Sequence, residues 1–142
     1  MTADEDAVGR ANQAFYAAFE ARDIDAMAEV WERTDRATVT HPGWPTLRGW
    51  AQVATSWGAI FRHTPYIQFF LTDERIDVHG DTAWVTLAEN ILQATGPAEE
   101  PAQPLHDAAV AAINVFVRTT TGWRMVVHHG SPVGRPEEGD ED

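Results

Sequence analysis

Apolar residues recur along this chain with two different periods, and the change from one to the other divides it into a helical first part and a strand-rich second part. From Asp4 to about Arg22, Val8, Ala11, Phe15, Ala18 and Phe19 fall at helical spacing, with Asp4, Glu5 and Asp6 at the end where the helix dipole favours negative charge. Asp23-Ile24-Asp25 breaks that pattern and offers an N-cap for a short second helix carrying Met27, Val30 and Trp31. Thr38, Val39 and Thr40 favour a strand from Ala37 to His41, which Pro42-Gly43-Trp44-Pro45 ends. The helical period returns from Gly49 to Phe61, where Trp50, Val53, Trp57 and Ile60 or Phe61 share a face.

The remainder reads as four strands: Tyr66 to His79, Thr82 to Gln93, Ala108 to Arg118, and Trp123 to Ser131. Gly80-Asp81 and Thr120-Thr121-Gly122 are short enough to be hairpin turns, so most neighbours in the sheet run antiparallel. Strands as long as the first two bend, which predicts a strongly curved sheet with bulges. Helices first and sheet second make the fold class α+β.

If Thr120 and Thr121 form the last turn, Arg118 pairs with Trp123, Phe116 with Met125, Asn114 with Val127 and Ala112 with His129. One face of the sheet then holds Asn114, Phe116, Trp123, Met125, Val127 and His129, and the other Ile113, Val115, Val117, Val126 and His128. Both faces are mainly apolar and call for cover, by helices on one side and a second copy of the chain on the other. A homodimer through the outer face of the sheet is the expectation. The two adjacent histidines are split by the pleat.

A chain of 142 residues with 44% hydrophobic content suits one domain, placed at residues 1–133, followed by an acidic tail at 134–142 that is expected to be disordered. The formal net charge of −12 argues against nucleic acid or an anionic membrane surface as a partner. There is no cysteine, the first residues are acidic where a signal peptide is basic, and no apolar run approaches the roughly 20 residues of a bilayer span. A cytoplasmic setting is expected. The proline-rich run from Ala94 to Pro104 cannot pair inside a sheet; it is either a solvated loop or a rim over a pocket.

Phe15-Tyr16-Ala17-Ala18-Phe19-Glu20-Ala21-Arg22-Asp23-Ile24-Asp25, Ala37-Thr38-Val39-Thr40-His41-Pro42-Gly43, Ile113-Asn114-Val115-Phe116 and the closing Trp123-Arg124-Met125-Val126-Val127-His128-His129 together carry a resemblance. From Ala7 to Pro132 the chain resembles the nuclear-transport-factor-2-like superfamily, in its small bacterial SnoaL-like branch, which includes polyketide cyclases and relatives of ketosteroid isomerase. The resemblance implies a cone: three N-terminal helices packed on a curved, mixed, mostly antiparallel sheet that encloses a pocket. It also implies that Asn114 matches the isomerase's oxyanion-binding aspartic acid and His41 its general-base aspartate. Phe15 falls where that enzyme has its oxyanion tyrosine, and a phenyl ring cannot donate a hydrogen bond. Tyr16 is rotated from it by about 100° on the helix.

Abstracting a proton next to a carbonyl needs a base active near neutrality and a donor to the developing enolate, roles open to His41 and Asn114. His129, on the face assigned to Asn114, is a candidate second acid or substrate donor. The plainer alternative has His41 bonded only to its turn and His129 to a backbone carbonyl. Phe15, Tyr16, Phe19, Trp44, Trp57, Phe61, Phe116 and Met125 are the expected walls for a small apolar or aromatic ligand. Glu89 shares a strand face with Val85, Leu87 and Ile91; it either faces the interior with a raised pKa or looks outward to a basic group or a partner copy. His106 and Asp107 are neighbours that could orient each other.

No metal is expected, because adjacent strand histidines on opposite faces cannot reach one ion, and no cofactor, because no glycine-rich phosphate loop or nucleophile elbow occurs. Two functions fit these features. One is a lyase, isomerase or cyclase acting on a small apolar carbonyl compound, the other a non-catalytic dimeric ligand-binding or scaffolding domain.

Overall fold

The structure is a computed structural model and describes residues 1–96 and 104–134. Part of the proline-rich connection and nearly all of the acidic tail lie outside the described residues. Helix α1 (Ala3–Ala21) is entered through a capping box, in which the Thr2 side chain accepts from the Glu5 amide and the Glu5 carboxylate accepts from the Thr2 amide. It stops at Arg22, which adopts the left-handed conformation, and Asp23 caps the next helix through bonds from the amides of Asp25 and Ala26. Helix α2 (Ile24–Val30) follows, then strands β1 (Thr38–Thr40) and β2 (Leu47–Arg48) and helix α3 (Trp50–Arg62).

The four long strands are β3 (Tyr66–His79), β4 (Thr82–Ala94), β5 (His106–Thr119) and β6 (Gly122–Pro132). They join β1 and β2 in one mixed sheet of order β2-β1-β6-β5-β4-β3, in which the β1–β6 pair is parallel and the other named pairs are antiparallel. The architecture is the expected α+β cone. Strand β2 is an addition to the expected elements; its two residues are too short for any period to register.

The inner face of the sheet packs on α1 and α3. Phe15, Trp57, Phe116, Met125 and Val85 are fully buried there, and Phe15 meets Trp57 edge-on at 5.5 Å between ring centroids. Two bulges decide which side chains reach this face. In β3 the register shifts between Thr72 and Arg75, at Asp73 with φ 56°, so that Glu74 follows Leu71 onto the inner face with Ile76 and Val78.

In β6 the register shifts between the pairs Phe116–Met125 and Val115–Val127, and Val126 is the extra residue. Past that bulge the alternation is inverted: Asn114 lies opposite His128, not Val127, and Ile113 lies opposite His129. The expected face assignment is corrected by one residue from here on. His128 is inside and 2% exposed, while His129 and Val127 belong to the outer face.

The inversion has a direct consequence for stability. His128→Ala leaves the Asn114 carbonyl oxygen without its donor and a hole beside Phe15, and is expected to cost at least about 2 kcal/mol. His129→Ala on the exposed face is expected to stay within about 0.5 kcal/mol of the parent. Urea denaturation of the two variants checks this; a larger loss for His129→Ala would contradict the observed register.

Candidate functional site

A groove of about 480 Å³ between α1, α2 and β6 is walled chiefly by alanines, with Glu29 and Arg124 as the charged residues of its lining. The chemistry lies in a cavity of about 440 Å³ between Phe19 of α1, α3, the end of β1 and the far halves of β3 to β6. Its mouth is formed by exposed residues, among them Trp44, Thr95 and Pro132. Phe19, Ile60, Ile67 and Ile91 make apolar walls. Three buried polar side chains, His41, Glu89 and His128, make its floor.

Glu89 comes from the middle of β4, where the inner face runs Val85, Leu87, Glu89, Ile91. Its carboxyl is 3% exposed and accepts one hydrogen bond, from the Tyr16 hydroxyl at 2.6 Å. Burial disfavours the charged form and pushes Glu89 up to about 7, with the Tyr16 bond opposing the rise. The same burial, together with the charge of Glu89, pushes the Tyr16 phenol upward, so Tyr16 stays a donor.

Behind this pair stands Asn114, 0% exposed. Its amide nitrogen donates to Asn12 Oδ1 at 2.8 Å and to the Tyr16 oxygen at 3.1 Å, and its own Oδ1 lies 2.6 Å from His128 Nδ1. An amide oxygen only accepts, so His128 Nδ1 must carry the proton. Burial, with lesser effects from His41 and His129, pushes His128 down to about 3; the ring is neutral and its Nε2 is a bare acceptor at the cavity.

His41 follows the same logic from the other wall. Its Nε2 lies 2.9 Å from Ser56 Oγ, whose own proton goes to the Val53 carbonyl at 2.7 Å. Ser56 therefore accepts from His41 Nε2, and Nδ1 is left bare. Burial pushes His41 down to about 4. The ring is wedged edge-on against Trp57 and Trp44, with centroids 4.7 Å and 5.0 Å away, and lies 6.5 Å from the His128 ring.

The three expected catalytic side chains do not converge. His41 lines the cavity. Asn114 is sealed behind it with both amide protons already used, so it has none to give a substrate. His129 is exposed on the outer face, its Nε2 3.1 Å from Ser131 Oγ, because the Val126 bulge puts His128 in its place. Among the expected wall residues, Phe19 and Trp44 line the cavity. Phe15, Tyr16, Trp57, Phe116 and Met125 are buried behind it, and Phe61 packs against Phe19 and Trp57 without reaching the lining.

Of the two readings of Glu89, the inward one is observed. His106 opens β5 as an exposed residue and takes no part in the cavity. Sequence reasoning missed Asn12, Ser56 and Glu74. Asn12 left a signal, a polar residue four positions after Val8 on the buried stripe of α1, whereas the bulge hides Glu74.

Residues 8–135 match a family model described as a SnoaL-like domain. A dehydratase-named protein of the NTF2-like family from Streptomyces avermitilis is 41% identical, with a TM-score of 0.85 over 93% of this chain and 97% of that one. A protein from Thiobacillus denitrificans, named for a calcium/calmodulin-dependent protein kinase type II association domain, is 34% identical, with a TM-score of 0.74 over 89% and 94%. A ketosteroid isomerase-like protein from Erwinia carotovora atroseptica shares the fold at 18% identity, with a TM-score of 0.77 over 95% of this chain and 100% of that one. The F-box protein SKIP8 of Arabidopsis thaliana is 27% identical over 120 residues, which are 84% of this chain and 47% of that protein. The chain thus spans about half the length of this curated relative.

The buried carboxyl makes stability depend on pH. Between its ordinary 4.5 and about 7, the folded chain keeps a proton on Glu89 that the unfolded chain releases, so stability falls as pH rises through that window. Glu89→Gln keeps an acceptor for Tyr16 without the charge. It is expected to be more stable than the parent at pH 8, by up to about 3 kcal/mol, and to show almost no advantage below pH 4.5. Urea denaturation at the two pH values checks this, and an equal difference at both would contradict it.

Proposed function

The chain belongs to the SnoaL-like domain family, and from that premise we propose that its cavity holds a small apolar molecule and acts on it as a lyase or isomerase, by moving a proton next to a carbonyl group. One observation carries this reading: Glu89, buried on the cavity floor, has a pKa near 7 and so can both take and return a proton at neutral pH. The imidazoles of His41 and His128 are too weakly basic for that task. The base expected at His41 is therefore moved to Glu89.

In this reading the Glu89 carboxylate takes a proton from the carbon beside the carbonyl, and the Tyr16 hydroxyl steadies the carboxylate beforehand. Returned to another carbon, the proton completes an isomerisation. Delivered to a departing hydroxyl, it completes the loss of water, the outcome to which the name of the Streptomyces avermitilis relative points. The enolate oxygen needs a donor, and His41 can supply one. When the Ser56 hydroxyl turns from the Val53 carbonyl to His41 Nε2, the ring proton sits on Nδ1, at the cavity. His128 Nε2 accepts from a hydroxyl of the substrate, and Asn114 positions His128 and Tyr16. Among the described residues the lining contains no arginine, which favours a neutral ligand over an anion.

The test is incubation with a panel of small cyclic and aromatic ketones and β-hydroxy ketones in D2O, followed by mass spectrometry. Deuterium uptake or loss of water from at least one compound is expected, with turnover rising with pH to a plateau above about 7 and falling at least about 100-fold in Glu89→Gln. A ligand retained with no change of mass would instead support the second function, a non-catalytic binding domain.

A second copy of the chain is the proposed occupant of the outer face. Phe70 and Ile113 are 53% and 46% exposed there, beside Val115, Val117 and Val127. Light scattering is expected to give twice the chain mass of 15.7 kDa, and Ile113→Glu to halve it. A monomeric parent would overturn this assignment.

A further inference from the structure

The hydrogen-bond chain that ends on His128 begins at the surface, on Glu74. Its Oε2 accepts from Asn12 Nδ2 at 3.0 Å; Asn12 Oδ1 accepts from Asn114, and Asn114 Oδ1 accepts from His128. We propose that Glu74 is a positioning residue: its carboxylate, acting through Asn12 and Asn114, fixes the direction of this chain and so keeps the His128 Nε2 bare at the cavity.

A side-chain amide can exchange its oxygen and nitrogen with little change of shape, so Asn12 and Asn114 could reverse together. Reversal would aim the Asn114 nitrogen at His128 Nδ1, which would then have to be bare, with the proton moved to Nε2. An ionised carboxylate accepts only, and two of them oppose reversal from the two ends. Glu89 does so through Tyr16: while it is ionised the Tyr16 hydroxyl donates to it, and the Tyr16 oxygen is free to accept from Asn114.

Once Glu89 carries a proton, its own hydroxyl can donate to Tyr16, and the Tyr16 hydroxyl can swing toward Asn114. Glu74 is then the acceptor-only group still anchoring the chain. Among the described residues the titratable groups acting on the network are Tyr16 from α1, Glu74 from β3, Glu89 from β4, His41 after β1, and His128 with its neighbour His129 from β6, and the charge of Glu74 contributes to the raised pKa of Tyr16. The β3 bulge is what brings Glu74 within reach, since plain alternation from Leu71 would turn it outward. Because the His128 ring form is read without substrate, failure of this inference and failure of the proposed reaction are separable.

The test is nitrogen NMR of the full chain labelled at histidine, at pH 8 and pH 5.5. The parent is expected to show His128 with a protonated Nδ1 and a bare Nε2 at both. Glu74→Gln, a change at an exposed position, can donate as well as accept; it is expected to keep that pattern at pH 8 and to shift to a mixture of the two ring forms at pH 5.5. Adding Asn12→Asp to Glu74→Gln restores an acceptor-only group next to Asn114 and is expected to return a single form at both pH values. An unmixed His128 in Glu74→Gln at pH 5.5 would overturn the proposal.

Discussion

The hydrogen bond from Tyr16 to Glu89 joins the helical layer to the sheet at the cavity floor, and its direction is one of the two constraints that order the polar interior, the other being the Glu74 carboxylate. Because the Tyr16 hydroxyl gives its proton to Glu89, its oxygen can accept from Asn114. Asn114 then has to turn its carbonyl toward His128, which places the imidazole proton on the buried nitrogen and a lone pair at the cavity. An apolar enclosure makes each of these choices costly to reverse, since a buried donor or acceptor left unpaired loses about 1–3 kcal/mol. The same enclosure keeps Glu89 uncharged to unusually high pH. Packing and site chemistry thus have one cause: the aromatic cluster of Phe15, Phe19, Trp57 and Phe69 packed around Tyr16 buries the polar groups of the floor.

Compared with a ketosteroid isomerase-like arrangement, the polar roles are redistributed. Asn114, expected from the sequence resemblance as an oxyanion donor, spends both amide protons within the protein, and Phe15 stands where the resemblance implies a tyrosine. The hydroxyl enters one residue later, from Tyr16, and is directed at a carboxylate on β4. The floor consequently presents acceptors and one titrating acid. That composition suits a ligand carrying a hydroxyl group beside its carbonyl, and in the proposed reaction Glu89 is the group that moves the proton.

Most of the fold was legible because periodicity survives in long elements: the observed ends of β3, Tyr66 and His79, are those its pattern predicts. Asn12 was visible in principle, as a polar residue inside the apolar stripe of α1. The bulges were not. Val126-Val127 gives no sign of which valine is the extra one, and that single residue decides whether His128 or His129 is inside. Asp73-Glu74 likewise reads as ordinary exposed polar sequence, although the bulge makes one carboxylate part of the interior network. For Glu89 the strand alternation showed its companions but not which face was covered.

The protonation state of the Glu89 carboxyl governs both the interior network and the proposed proton transfer. Carbon NMR of the chain labelled at the glutamate side-chain carboxyls, followed from pH 4 to pH 9, reads that state without any substrate. It is predicted to show one resonance, lost in Glu89→Gln, with a midpoint near 7. A midpoint at the ordinary 4.5 would contradict both the effect of burial on the carboxyl and the proposed assignment of proton transfer to Glu89.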